Sequence, residues 1–478
     1  MRVLHISTEC YPAAKAGGMG DVVGALPLYS GNEGIEASVI IPMYDLQWFR
    51  DQKFKSIYQG SFHLDWEYIE FEVLQLESDT LNYPFYCISI PGKFDRNSVY
   101  LAEDGEGFKD EVERNTSFQR AVLLWVNAHS DSFDVLHCHD HQTGLIPFFA
   151  SHGDVFVNLR NMPTYYTIHN AAYRGMWDWK HRQLLPAFNE EHIGLLDWDH
   201  HIHSFATGIK CCWGYSTVSP SYLDEIAHNS GNLNWLYDHT KEKSRGILNG
   251  IDTAFWNPKT DPFLDQVLKR SWKVFKSKNK EALCKRYGLN KSSPLFSFIG
   301  RLAYQKGADI ITESISNILA QDKDACFVVL GSGSHELESA FRNLENSFPG
   351  KVKALIMYNE EVAHTIYAGS DFLLMPSRFE PCGLNQMFAM RYGTIPVVHS
   401  TGGLIDTVTD IDQGGFGIRF NAADFVHLRD AILRGISFYE DADRFVKTRE
   451  EATKVDFSWN NSIRIYKEEY QKIINKKQ

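Results

Sequence analysis

No stretch of this chain carries the roughly 18 consecutive apolar residues that a membrane-spanning helix needs, so no membrane partner is expected. The opening, MRVLHISTECYP, also lacks the shape of an export signal. One Arg precedes a short apolar run and acidic Glu9 follows at once, which reads as a first buried strand. Cysteine is sparse: eight are scattered through 478 residues, which fits reduced thiols in a cytoplasmic protein better than a disulfide framework. Basic charge is in deficit, with 48 Lys and Arg against 60 Asp and Glu, a net charge of −12. Phosphate backbones need clustered cations, so nucleic acid is not an expected partner. The basic tail KEEYQKIINKK reads as a short amphipathic helix. Short repeats, low-complexity segments and a Gly-Lys-Ser/Thr phosphate loop are all missing.

What is present is a chain too long for one ordinary core, in which short β-rich runs alternate with helical segments. Strands are expected near residues 3–7, 135–138, 165–168, 216–218, 295–299, 326–330, 355–358, 372–375 and 395–398, with helices such as 22–29, 116–128 and 308–320 between them. Apolar runs without polar alternation suit strands buried on both faces. The expectation is therefore α/β, with parallel sheets flanked by helices. The polar segment 240–280 precedes a fresh strand pattern, so a domain boundary is placed near 247–257. Ligands of such sheets bind beyond the carboxyl ends of the strands, and two sheets facing each other would make a cleft.

Several motifs fall at those strand ends. Lys15-Ala16-Gly17-Gly18-Met19-Gly20-Asp21 lies between the first strand and a helix. Two glycines let backbone N–H groups come close to a ligand, and the helix start together with Lys15 attracts anions. The ordinary alternative is a plain Gly-rich turn. Gly300-Arg301-Leu302-Ala303-Tyr304-Gln305-Lys306-Gly307 sets two cations around one turn, where both could meet a phosphate leaving group. The alternative is two solvated surface cations. In Ser377-Arg378-Phe379-Glu380-Pro381-Cys382-Gly383-Leu384 a stiff turn holds Glu380, and Gly383 and Leu384 open a helix. Cys382 lacks a Cys–His signature and reads as a packing or pocket-lining residue. Thr401-Gly402-Gly403-Leu404 reads as another ligand-facing Gly pair, while Leu330-Gly331-Ser332-Gly333 is too incomplete for a dinucleotide fingerprint.

His137-Cys138-His139-Asp140-His141 invites a metal reading, because strand alternation would set its three His on one face. Structural zinc sites draw on separated segments, so no metal is expected and Asp140 reads as a carboxylate at a strand end. His169 and Asn170, after the run Tyr165-Tyr166-Thr167-Ile168, offer hydrogen bonds to sugar hydroxyls.

Taken together, these motifs resemble the glucan synthases of glycosyltransferase family five, the bacterial glycogen synthases and plant starch synthases. Lys15-x-Gly17-Gly18, His137-x-His139-Asp140, His169-Asn170, Thr217-Val218-Ser219-Pro220 and Leu248-Asn249-Gly250-Ile251-Asp252 come in the family's order. They are followed by Arg301-Leu302, Gln305-Lys306-Gly307, the Glu380 loop and Thr401-Gly402-Gly403-Leu404-x-Asp406-Thr407-Val408. The resemblance runs from residue 1 to about residue 460. It implies the GT-B architecture of two Rossmann-like domains and a deep cleft: residues 1–248 on the glucan acceptor side, 249–460 on the nucleotide-sugar side, and a helix over 461–478 crossing back to the first domain. It implies transfer of glucose from ADP-glucose, or UDP-glucose, to the non-reducing 4-hydroxyl of an α-1,4-glucan, with retention and without metal or other cofactor.

By matching position, Arg301 and Lys306 would bind the diphosphate, and Lys15 with the Gly17-Gly18 backbone would contact it too. Glu380 would hold the donor glucose, with Cys382, Gly383 and Leu384 lining its pocket. His169 would sit over that glucose, with Asn170 beside it and Asn249 facing the sugar. Asp140 would lie on the acceptor side and Asp21 near the nucleoside. The chain departs from the family at Asn385, usually Thr, and at His141-Gln142, usually Trp-His. Residues 229–239 also lack the usual Gly-x-Gly-Leu. The rival readings are a family-four glycosyltransferase, whose usual second Glu is replaced here by Phe388, and a glucan-binding protein without catalysis.

Overall fold

The computed structural model describes residues 1–102 and 105–476. Lys477 and Gln478, the end of the expected tail helix, lie outside the described residues. The chain divides into two compact units: Met1–Val218 with Leu223–Leu248 and Trp459–Gln478, and Ser219–Tyr222 with Asn249–Ser458.

In the first unit the strands are β1 (Arg2–Ile6), β2 (Glu36–Pro42), β3 (Phe54–Leu64), β4 (Glu67–Leu76), β5 (Phe85–Ser89), β6 (Val135–His139), β7 (Thr164–Ile168), β8 (Met176–Trp177), β9 (Asp197–Trp198), β10 (His201–His203), β11 (Gly214–Thr217) and β12 (Ser244–Gly246). Nine of them form one sheet in the order β12-β11-β7-β6-β1-β2-β5-β4-β3. Its central strands are parallel and buried on both faces. The sheet is not parallel throughout, however. β3 and β4 pair antiparallel, as do β4 and β5. No strand was expected there because the run FKSIYQGSFHL alternates exposed with half-buried residues, as suits a sheet edge with one solvated face.

The C-terminal helix Trp459–Asn475 packs on this first unit. Trp459, Ile463, Tyr466, Tyr470 and Ile473 recur at spacings of 4 and 3, giving one apolar stripe. That stripe buries against Val3, Val22, Val135 and Tyr165.

The second unit has β13 (Leu295–Ile299), β14 (Cys326–Gly331), β15 (Val352–Ile356), β16 (Phe372–Met375), β17 (Ile395–His399) and β18 (Ile418–Phe420). They form one all-parallel sheet in the order β15-β14-β13-β16-β17-β18. One face is built around Phe296, whose ring stacks on Phe372 at 4.6 Å and on Phe327 at 5.5 Å. The other carries Leu295, Val328, Leu373 and Val398. Truncating Phe296 to Ala would cost about 3–5 kcal/mol. Buried Asp371 ties the unit together, 2.6 Å from Lys280 Nζ and 2.7 Å from Arg449 Nη2. All eight cysteines are free. Among the described residues no helix is long and apolar enough to cross a membrane.

Candidate active site

The candidate residues form two groups, one on each unit. On the first unit, β1 runs into a loop that leads to the helix Gly18–Ser30. This loop is held by a residue the sequence reading missed. Glu9 is 3% exposed; its Oε2 accepts the N–H groups of Ala16 at 2.6 Å and Gly17 at 2.8 Å. Its Oε1 accepts the Tyr100 hydroxyl at 2.7 Å. The signal for Glu9 was available, as a lone acid inside the apolar opening segment.

The Gly17 N–H is therefore already engaged, and what remains for an anion is the helix start itself, which no side chain caps. Gly17 has an extended φ of −146°, and a Cβ built on Gly17 or Gly18 would meet nothing within 4 Å. The fold does not require glycine at either position, so the space they leave open is surface that a ligand can approach. Lys15 Nζ lies 2.7 Å from Asp21 Oδ1. Burial raises the Asp21 carboxyl above its ordinary range, against the opposing pull of Lys15.

Asp140 follows β6 with φ of +55°, a backbone state that costs an Asp of order 1–3 kcal/mol and is usually kept at functional sites. Its Oδ1 accepts the N–H groups of His169 at 2.6 Å and Asn170 at 3.2 Å, so Asp140 fixes the turn after β7. Burial pushes its carboxyl up to about 7. The expectation that His137, His139 and His141 share a face is corrected here. β6 ends at His139, the positive φ of Asp140 turns the chain, and His141 lies in a 3₁₀ turn 3.4 Å from Glu111.

Among the described residues one group has metal-type side chains close together: His5, His137 and His139, all buried. Both ring nitrogens of His137 are taken, by the Tyr470 hydroxyl and by Thr167 Oγ1, each at 2.7 Å. Both of His139 are taken by His5 at 3.1 Å and His169 at 2.9 Å. A metal would have to break these hydrogen bonds, so the donor set does not fit one.

On the second unit, Gly300 leads from β13 to exposed Arg301, whose Nη2 lies 3.3 Å from Gln305 Oε1. Lys306 closes a 3₁₀ turn before the helix Ala308–Ala320. Its Nζ lies 2.7 and 2.9 Å from the two carboxylate oxygens of Glu380, which is 6% exposed and also accepts from Ser377 Oγ at 2.8 Å. The structure thus joins Lys306 to Glu380, whereas Arg301 bonds within its own turn. Gly307, at φ +69°, must be glycine twice over, since a Cβ there would also lie 2.3 Å from the Pro376 oxygen.

The Glu380 loop is braced from several sides. Arg378 makes a two-pronged bond to Asp309 at 2.7 Å on each arm and stacks on Tyr304. Asn385, at the start of the helix Asn385–Arg391, donates to the Ile299 carbonyl at 2.8 Å and so ties the loop to the end of β13. Burial pushes the Cys382 thiol up to about 12, which keeps it protonated and unreactive. Gly383 has φ of +72°, and Leu384 precedes the helix. Asn249 is buried, and among the described residues its Oδ1 has no hydrogen-bond partner.

Gly402 and Gly403, read from the sequence as a ligand-facing pair, pack closely against the Glu380 loop. A Cβ on Gly402 would lie 2.1 Å from the Glu380 oxygen and one on Gly403 2.3 Å from the Cys382 oxygen, so the pair buttresses the loop. Gly331 and Gly333 likewise pack against Gly300 and Leu302.

These two groups can be set beside known proteins. Residues 2–239 match the family model described as starch synthase catalytic domain, and residues 279–451 match glycosyl transferases group 1. The glycogen synthase of Flavobacterium johnsoniae is 43% identical over 100% of both chains. This chain belongs to the glycogen and starch synthase family. A second glycogen synthase of that family, from Thermodesulfovibrio yellowstonii, is 36% identical over 100% of this chain and 99% of its own. The solved catalytic domain of starch synthase IV from Arabidopsis thaliana, bound to ADP and acarbose, is 31% identical with a TM-score of 0.87 over 99% of both chains. The fold class is accordingly that of the GT-B glycosyltransferases, and the family's reaction is transfer of glucose from a nucleotide sugar to a glucan.

Proposed function

We propose that this chain moves glucose from ADP-glucose to the 4-hydroxyl at the non-reducing end of an α-1,4-glucan, with retention of the α configuration and without a metal. The observation that carries the reading is the Lys306–Glu380 pair: a cation and a sugar-binding type of carboxylate held side by side in a braced loop. The starch synthase IV relative holds ADP, which is what ADP-glucose leaves behind, and this favours adenosine over uridine.

In this reading Arg301 and Lys306 bind the diphosphate, with Lys15 and the uncapped helix start at Gly18 contributing from the first unit. Glu380 and Asn249 hold the donor glucose beside Cys382, Gly383 and Leu384. His169 and Asn170 lie over that glucose, Asp140 serves the acceptor and Asp21 the nucleoside. The bond from the anomeric carbon to the diphosphate oxygen breaks, and its electron pair leaves on that oxygen. The glucan 4-hydroxyl attacks from the same face, and its proton passes to the departing phosphate oxygen. No protein nucleophile is needed; fixed cations stabilise the charge that develops on the leaving group. Eight free cysteines suit a cytoplasmic setting.

Maltoheptaose tagged at its reducing end tests this directly. Extension of the tagged chain, with α-1,4 signals in the proton spectrum of the product, is expected. Extension with β-linked signals, or none with any nucleotide glucose, overturns the reading.

A further inference from the structure

Three imidazoles form an unbroken row across the carboxyl ends of three neighbouring strands. His5 lies on β1, His139 ends β6 and His169 follows β7, and these strands are adjacent in the sheet. His5 Nδ1 lies 3.1 Å from His139 Nε2, and His139 Nδ1 lies 2.9 Å from His169 Nε2. His137 stacks on His139 with ring centroids 4.1 Å apart and is itself tied to Tyr470 and Thr167, so the middle ring of the row has a fixed plane. Burial pushes His5 and His169 down to about 3 and His139 well below its ordinary value, so each ring carries one proton.

A neutral imidazole donates at one nitrogen and accepts at the other. In a row joined Nδ1 to Nε2, the choice at one ring therefore dictates the choice at the next. Two settings exist: every proton on Nδ1, or every proton on Nε2. The second would put an N–H on His5 Nε2, which is buried and has no partner among the described residues. Orphaned buried N–H groups are rare in folded proteins, so the first setting wins. It leaves the His169 Nδ1–H at the row's open end, on the most exposed of the three rings: His169 is 8% exposed, His5 1% and His139 0%.

We propose that His139, backed by His5, is a positioning residue that fixes the tautomer of His169, so that His169 presents Nδ1–H to an oxygen of the bound sugar. The last clause rests on the reading above, in which His169 faces the donor glucose; the tautomer itself does not. Neither His5 nor His139 touches substrate in this account.

The test is ¹⁵N-histidine labelling of the full-length protein with two-bond ¹H–¹⁵N correlation spectra, recorded without ligand, on the wild type and two variants. The wild type is expected to show His169 protonated at Nδ1 alone. His139→Leu removes the donor to His169 Nε2, so His169 should become a tautomer mixture, and kcat should fall about tenfold with a smaller change in the donor KM. His139→Asn places an amide N–H where Nδ1 was, and should restore both the single tautomer and most of kcat. An Nε2–H form of His169 in the wild type overturns the proposal. So does loss of kcat in His139→Leu without a tautomer change, which is what a merely structural role would give. Because the spectra need no turnover, a wild type that moves no glucose would count against the reading of function and leave the row standing.

Discussion

Lys306 Nζ sits 2.7 Å from one carboxylate oxygen of Glu380 and 2.9 Å from the other, so the side chain proposed to meet the diphosphate is already neutralised by the side chain proposed to hold the sugar. Lys15 and Asp21 repeat the arrangement on the first unit at 2.7 Å. A donor carrying both a diphosphate and a glucose can occupy each partner of the Lys306–Glu380 pair without leaving either charge alone, whereas a bare sugar or a bare phosphate satisfies one only.

Lys306→Ala and Arg301→Ala should each lower kcat about a hundredfold or more, by removing fixed stabilisation of the leaving group. The two should differ in stability. Losing Lys306 leaves buried Glu380 without its cation and lowers Tm, whereas Arg301 is exposed and its loss should leave Tm unchanged. Near-normal turnover in a folded variant contradicts the assignment.

The glycines sort into two kinds, and alanine tells them apart. Gly17→Ala and Gly18→Ala should melt like the wild type and bind donor more weakly, since the added methyl group meets nothing in the protein. Gly402→Ala, at φ +45° and 2.1 Å from the Glu380 oxygen, should lose about 1–3 kcal/mol of stability along with activity. Melting curves beside donor titrations check both. Equal destabilisation by all three would refute the distinction.

Asp371→Asn should cost about 3–5 kcal/mol, because it leaves Lys280 and Arg449 buried without their carboxylate. Denaturant midpoints measure this, and a change under about 1 kcal/mol would show that the two cations find other partners.

Stability should fall as pH drops below about 6.5. His5, His137, His139 and His169 are held neutral by burial, so below their ordinary value the unfolded chain binds protons that the native chain does not. Asp140 works the other way. Its native carboxyl, pushed up to about 7, keeps a proton that the unfolded chain has released, and this contribution is lost as pH rises toward 7. One proton opposes four, so the histidines decide the sign. Asp140→Asn should make the acid loss steeper in urea melts at pH 5, 6 and 7 (about one proton's worth), and a slope equal to the wild type would contradict the raised carboxyl.

Much of the α/β fold was legible because its central strands are buried on both faces. Residues 295–299 and 372–375 emerge as β13 and β16 with the expected ends. The antiparallel edge was not legible, since β3 and β4 carry Glu, Gln, Ser and Tyr on a solvated face. The strand expected at 355–358 forms at Val352–Ile356 instead, because the chain turns after the apolar pair Leu355-Ile356. Among the site motifs, type and spacing did not reveal what each residue touches. Gly17-Gly18 and Gly402-Gly403 look alike in sequence, yet one pair borders open space and the other touches a backbone carbonyl at contact distance. The His5–His139–His169 row escaped because its members are 134 and 30 residues apart along the chain, whereas Glu9 bonds a loop only seven and eight residues ahead and was within reach of the sequence.

The central claim is tested most directly by primed incorporation of radiolabelled glucose from ADP-glucose and from UDP-glucose, each with and without EDTA. The account predicts label in an amylase-sensitive glucan, faster from ADP-glucose and undiminished by EDTA. Label from neither donor, or incorporation abolished by EDTA, would contradict it.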